Sequence, residues 1–283
     1  MGRWARSKAM ASASWNVVKT DKQLVLLPLL SGLASIVIAG TFLVPIFLTG
    51  RDTSGGGDSF QPGPVGYVLI FLMYVALAYI TIFFRTALIS AADERMQGGS
   101  PTLSTAIAGA TSRAGAILPW AIVSATVSVI LRAVQERSGL LGRIVVGLIG
   151  MAWAVVTFMV LPVIVFERVG VITAVKRSTE ILRSTWGENL IVTGGIGLIA
   201  LCAALPAIIV GVLAVVSGSV PVAAVGITVG VLWLIAVACV ASALTGVFQT
   251  VLYRFATNGT TPPEFQGIDL GGAFATRSRR RDR

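Results

Sequence analysis

The sequence predicts an all-α polytopic membrane protein, with six transmembrane helices and amphipathic helices lying at the cytoplasmic interface. Three observations predict it. The chain of 283 residues is 55% hydrophobic and only 12% charged, with a mean hydropathy of +0.87, outside the range of an ordinary soluble domain. Its apolar residues fall in six runs, most of them close to or above the ~20 residues that a bilayer core requires. Its charges lie between those runs: span ends apart, no run contains Asp, Glu, Lys, Arg or His.

Residues 1–23 read as a cytoplasmic amphipathic helix. Trp4, Ala11, Trp15 and Val18 recur at helical spacing among Arg3, Arg6, Lys8, Lys19 and Lys22, and a basic helix with Trp anchors lies in the interface. The first span, 24–49, is longer than a signal-peptide core and lacks a small-residue cleavage pattern after it, so it is expected to remain in the membrane. A Gly, Pro and Ser loop follows, then a second span over 65–84, ending at Arg85. Past a polar stretch, Ser100 is expected to cap and Pro101 to open a short interfacial helix over 102–113. Its apolar face is Leu103, Ala106, Ile107 and Ala110.

The third span, 115–131, is the weakest and holds Pro119. A loop with Arg132, Glu136, Arg137 and Arg143 is expected before the fourth span, 144–166. The next segment, 171–186, divides into two arcs at 100° per residue. Val171, Ala174, Val175, Ile181, Leu182 and Trp186 share one; Thr173, Lys176, Arg177, Glu180, Arg183 and Ser184 share the other. The last spans are 189–216, interrupted by Pro206, and 222–252, joined by the turn Ser217–Pro221. A basic tail, 253–283, ends in RSRRRDR.

Six spans place both termini on one side. On that side Lys and Arg number five in 1–23, three in 85–113, four in 167–188 and six in the tail, against four on the other side. The positive-inside rule therefore puts both termini in the cytoplasm of a cell membrane. Arg132, Arg137 and Arg143 dissent locally, but inverting the chain violates the rule at four other places. Each pair of spans follows an amphipathic segment, a threefold plan that either reflects internal duplication or is how any protein of hairpins with cytoplasmic loops looks.

The segment Pro162-x-x-Val165-x-Glu167-x-x-Gly170-x-x-x-Ala174-x-Lys176-Arg177-Ser178, followed by Trp186-Gly187-Glu188, resembles the signature of an uncharacterised bacterial family of six-span membrane proteins. The stretches Ser14–Gly32 and Tyr253–Gly259 are similar to that family's two ends. More distantly, the Glu-Gly-Ala-Arg-Ser pattern resembles the membrane domain of glycerophosphodiester phosphodiesterases, although here Arg168 and Val169 stand between Glu167 and Gly170. The resemblance implies the six-span architecture and no defined activity.

Candidate functional residues gather at the interface: Glu167, Arg168, Gly170, Lys176, Arg177, Ser178, Trp186 and Gly187, with Arg85 and Arg254 at other span ends. They read either as an ion-pair latch or as a solvated polar face. Ser242, Thr245 and Gln249 share a face of the sixth span and line a polar path, or else hydrogen-bond between packed helices. The chain has no His, the usual general base and metal ligand. Cys202 and Cys239 lie within apolar runs, with no zinc spacing. No phosphate loop and no serine-nucleophile motif is present. No cofactor and no catalytic activity are expected, and the dispersed basic residues argue against nucleic acid.

The expected partners are membrane lipids, with anionic lipid or an acidic protein at Arg277, Arg279, Arg280, Arg281 and Arg283. The reading is a non-enzymatic membrane protein that binds lipid or supports a membrane assembly. The alternative is a permease or channel-like carrier of an apolar or amphiphilic solute.

Overall fold

An apolar run in a bilayer finds no water for its N–H and C=O groups, so it must satisfy them within a helix. A computed structural model of the chain describes residues 12, 14–16, 18–21, 23–49 and 63–259, without the side chains of 183–196, 198 and 258. Among the described residues all regular structure is helical. The helices are α1 (Gln23–Thr49), α2 (Pro64–Met96), α3 (Leu103–Thr111), α4 (Ala114–Arg137), α5 (Leu140–Thr157), α6 (Val160–Glu167), α7 (Val171–Val216) and α8 (Val220–Asn258). Six helical stretches are long and apolar enough to cross a membrane: Gln23–Thr49, Pro64–Met96, Ala114–Arg137, Leu140–Glu167, Ile199–Val216 and Val220–Thr257. The chain is a multi-pass membrane protein.

The boundaries differ from the sequence reading in informative ways. The helix of the second span continues past Phe84. α2 runs 33 residues, about 50 Å at 1.5 Å per residue, because the stretch after Arg85 is helical and carries the buried Leu88, Ile89, Ala91, Ala92 and Met96. α3 is not capped by Ser100. Thr102 Oγ1 accepts the Thr105 N–H at 3.1 Å and Thr105 Oγ1 accepts the Thr102 N–H at 3.0 Å, so two threonines form the reciprocal pair of a capping box. Ala106 and Ala110, on the expected apolar face, are buried.

The arginines expected in a loop after the third span are helical. α4 continues through Arg132, Glu136 and Arg137, and Arg143 lies in α5, leaving a connection of two residues, Ser138 and Gly139. Arg132 and Glu136 pair at 3.2 Å, one turn apart, which favours helix over loop. The fourth span is broken into α5 and α6, and the segment 171–186 is not separate from the fifth span: α7 is one helix of 46 residues. No residue between 186 and 189 interrupts its backbone bonds, and Pro206 sits inside it. Of the expected apolar arc, Ala174, Ile181 and Leu182 are buried; Lys176, Arg177 and Glu180 on the other arc are exposed. Residues 1–11 and 260–283 lie outside the described ones, as do the side chains of Trp186 and Gly187.

The chain divides into two compact units. One contains Leu30–Ala87 and Ile107–Thr179. In it α4 and α5 form a hairpin in which Trp120 and Trp153 stack with ring centroids 6.0 Å apart, and Arg132 donates to Tyr74 Oη on α2 at 2.7 Å.

The other unit contains Met1–Leu29, Leu88–Ala106 and Glu180–Arg283. There α7 and α8 turn through Ser217–Ser219, where Gly218 takes φ +68°, a conformation that glycine adopts without steric cost. The two helices meet through small residues: a Cβ on Gly226 would fall 2.2 Å from Ala214 Cβ, and one on Gly230 would fall 3.2 Å from the Ala207 carbonyl. At the other end of α8, a Cβ on Gly246 would meet Leu88 of α2. Such small-residue contacts let membrane helices approach closely where no hydrophobic driving force exists.

The opposing atom at Gly226 is a Cβ with no rotamer to change. Gly226→Ala is therefore expected to destabilise the detergent-solubilised protein by about 1–3 kcal/mol. A thermal melt followed by circular dichroism checks this; an unchanged midpoint means that α7 and α8 are not in close contact there.

Candidate functional site

The residues singled out in the sequence fold into a turn at the end of the fourth span, held together by backbone accounting. In an unbroken helix the Met159 N–H would bond the Val155 carbonyl and the Val156 carbonyl would accept from Val160. Here the Phe158 N–H turns back to Val155 at 3.1 Å, and Pro162 has no N–H to offer the carbonyl of Phe158. Ser178, wholly buried, repairs what is left. Its hydroxyl donates to the Val156 carbonyl at 2.5 Å, and its Oγ accepts the Met159 N–H at 3.2 Å. A side chain inserted into the helical ladder is a recognised cause of a helix break. Ser178 is thus a structural bridge between α7 and the α5–α6 break, with its hydroxyl engaged in both directions.

α6 then ends at Arg168, which takes φ 54° and ψ 35°. It is the one non-glycine residue with positive φ among the described residues, and that left-handed conformation costs an L-residue about 1–2 kcal/mol. Gly170, by contrast, has an ordinary φ, and a Cβ placed on it would meet nothing within 4 Å. Its carbonyl opens α7 by accepting the Ala174 N–H at 2.9 Å.

Charged groups surround the turn. Arg177 Nε lies 3.2 Å from Glu167 Oε1, with 44% and 28% of the two side chains exposed, a degree of exposure at which a pair contributes under about 1 kcal/mol. The expected latch therefore exists in its weak form. Arg113, from the residue before α4, donates through Nε to the Val165 carbonyl at 3.0 Å. Burial, and then the charge of Arg168, lowers the Arg113 pKa from its ordinary value. Lys176 is exposed on α7.

A family described as Family of unknown function (DUF6159) matches residues 64–263. The chain belongs to that family. No curated protein and no solved structure matches it. The DUF6159 region contains every contact of the turn, from Arg113 through Ser178.

The other candidates lie elsewhere. Arg254 pairs with Asp93 in the unit built from Leu88–Ala106 and the C-terminal helices, and Arg95 lies 3.6 Å from Asp21 in the same unit. Arg254, singled out at a span end, is held by a mostly buried carboxylate. Arg85 is exposed on α2. Ser242 and Thr245 are half-buried and Gln249 is buried. Thr245 returns its hydroxyl to the Ala241 carbonyl at 2.8 Å, and none of the three lines a described cavity. Among the described residues no group of three or more His, Cys, Asp or Glu is placed to hold a metal ion.

Arg113 and Asp93 were not singled out by the sequence. Arg113 finds a backbone carbonyl 52 residues away and Asp93 finds Arg254 across 161 residues, so no local spacing signals either.

Two substitutions test the turn. Ser178→Ala removes the partner of a buried N–H and of a part-buried carbonyl and is expected to lower stability by about 1–3 kcal/mol in a detergent melt. Arg168→Gly relieves the left-handed conformation and is expected to raise it by about 1 kcal/mol. Loss of stability on Arg168→Gly would show that the arginine side chain is a net contributor to the fold.

Proposed function

We propose that this DUF6159 protein is a non-enzymatic component of the plasma membrane that binds lipid, with both termini in the cytoplasm. The observation that carries the reading is a pair of adjoining apolar grooves in the unit containing the N- and C-terminal segments. One, of about 520 Å³, runs between Trp15 and α7 and α8, past Ala203, Trp233 and Leu244. The other, of about 530 Å³, lies between Trp15, the start of α1 and α8, with Lys19 on its lining. Trp15, Ala236 and Val240 line both. Volumes of this size, walled by apolar side chains with few polar groups, suit a small hydrophobic ligand or an acyl chain. An exposed Lys at the edge of such a groove suits an anionic headgroup. The engagement of Asp93, Glu167 and Ser178 with structural partners supports a role in binding rather than catalysis.

Purification in native lipid, with mass spectrometry of bound lipids, is expected to show phospholipids enriched over their bulk proportions. Ala236→Trp, which fills both grooves, is expected to remove the enrichment. A bound-lipid profile equal to the bulk membrane would overturn the reading.

The break between α5 and α6 favours one second reading, a permease for an amphiphilic solute, because transporters build sites at interrupted helices. Proteoliposomes that move a labelled amphiphile no faster than protein-free vesicles would remove it.

A further inference from the structure

The turn after the fourth span holds more positive charge than its own structure uses. Glu167 is engaged by Arg177, and among the described residues no acid pairs with Arg113, Arg168 or Lys176. Arg113 is pinned by the Val165 carbonyl, three residues before Arg168. Arg113 is therefore anchored on the last turn of α6, the helix whose C-terminal end carries Arg168, and among the described residues no acid pairs with either. Arg168 is in addition exposed, without a hydrogen-bond partner among the described residues, and in a conformation that favours glycine. An exposed, non-glycine residue in the left-handed position that ends a helix is a candidate for a use outside the fold.

The location says which anion. Arg113 immediately precedes the span Ala114–Arg137, and Arg168 immediately follows the span Leu140–Glu167. Both therefore sit one residue outside the apolar core on the same side of the membrane, at the depth of lipid headgroups. Arg113 already donates through Nε to Val165 and through Nη1 to Ser112 at 3.0 Å, so it brings mainly its charge, while the planar guanidinium of the exposed Arg168 has the donors that match the oxygens of a phosphate. By the distribution of Lys and Arg this is the cytoplasmic leaflet, whose surface is anionic.

We propose that Arg113 and Arg168 form a binding site for the phosphate of an anionic phospholipid headgroup, with Lys176 adding charge on the adjoining face of α7. The site rests on the lipid-binding reading and gives it a headgroup class and an address distinct from the apolar grooves.

The full chain in detergent is titrated with phosphatidylglycerol, phosphatidylcholine and inorganic phosphate, with binding read by native mass spectrometry and by shift of the melting temperature. The intact protein is expected to bind phosphatidylglycerol in preference to phosphatidylcholine. Arg168→Gly and Arg113→Gln are each expected to weaken phosphatidylglycerol binding about fivefold, the equivalent of about 1 kcal/mol for one arginine at an anionic surface. Arg137→Gln, at the opposite end of α4, is expected to leave it unchanged. Arg168→Gly separates a ligand role from a structural one, because it strengthens the fold while weakening the lipid.

Equal binding by the native, Arg168→Gly and Arg113→Gln proteins overturns this site but leaves lipid binding standing. So does an equal loss in Arg137→Gln, which would reduce the effect to general charge. No preference in the native protein overturns the headgroup site alone, whereas no binding of either lipid overturns both. A melting shift with inorganic phosphate as large as that with phosphatidylglycerol overturns the lipid assignment in favour of a soluble phosphate ligand.

Discussion

The hydroxyl of Ser178 occupies a gap that a helix in a bilayer has little means of filling for itself. Where α5 stops and α6 begins, a donor and an acceptor leave the helical ladder, and unpaired backbone groups in an apolar setting cost several kcal/mol each. Ser178 supplies both partners from α7. The same stretch of α7 that carries this bridge also brings Arg177 to Glu167, ten residues earlier, at the end of α6. An alanine has neither bond to offer, and a larger residue would have to be accommodated at a site with no exposed surface.

The unit that carries the C-terminal helices is organised by a different constraint, the distance at which helices meet. Gly226, Gly230 and Ala214 remove side-chain bulk between α7 and α8. One turn before Pro206, the Trp233 indole on α8 donates to the Ala203 carbonyl of α7 at 2.7 Å. At the other end of α8 the packing is closed by charge: Arg254 meets Asp93 where Gly246 has already admitted Leu88. Apolar contact, an indole hydrogen bond between helices and a shielded ion pair thus succeed one another along a single helix.

Much of this was written in composition and periodicity. Six apolar runs without interior charge can only be spans, and the stripe of Ala174, Ile181 and Leu182 is buried as a 3.6-residue period requires. Helix ends were less legible. Leu88 through Met96 read as a polar stretch because its charged residues dilute its hydropathy, yet its apolar side faces inward. The break in the fourth span was invisible in an unbroken run of apolar residues, since Pro162 alone is tolerated in membrane helices and its partner, Ser178, lies in the next element. Ser178 was picked out by family resemblance, but its role is defined by two backbone atoms that no sequence pattern displays. The same holds for Arg113 and the Val165 carbonyl.

The stacked indoles of Trp120 and Trp153 give the α4–α5 hairpin an optical signature of its own. Two near-parallel indoles with centroids 6.0 Å apart and planes inclined by 27° share their electronic excitation, and the coupled transition appears as a paired band in ultraviolet circular dichroism. Either ring alone lacks that band. The chain thus carries an intrinsic chromophore pair that reports whether two neighbouring membrane helices are docked, with no label added and no ligand known.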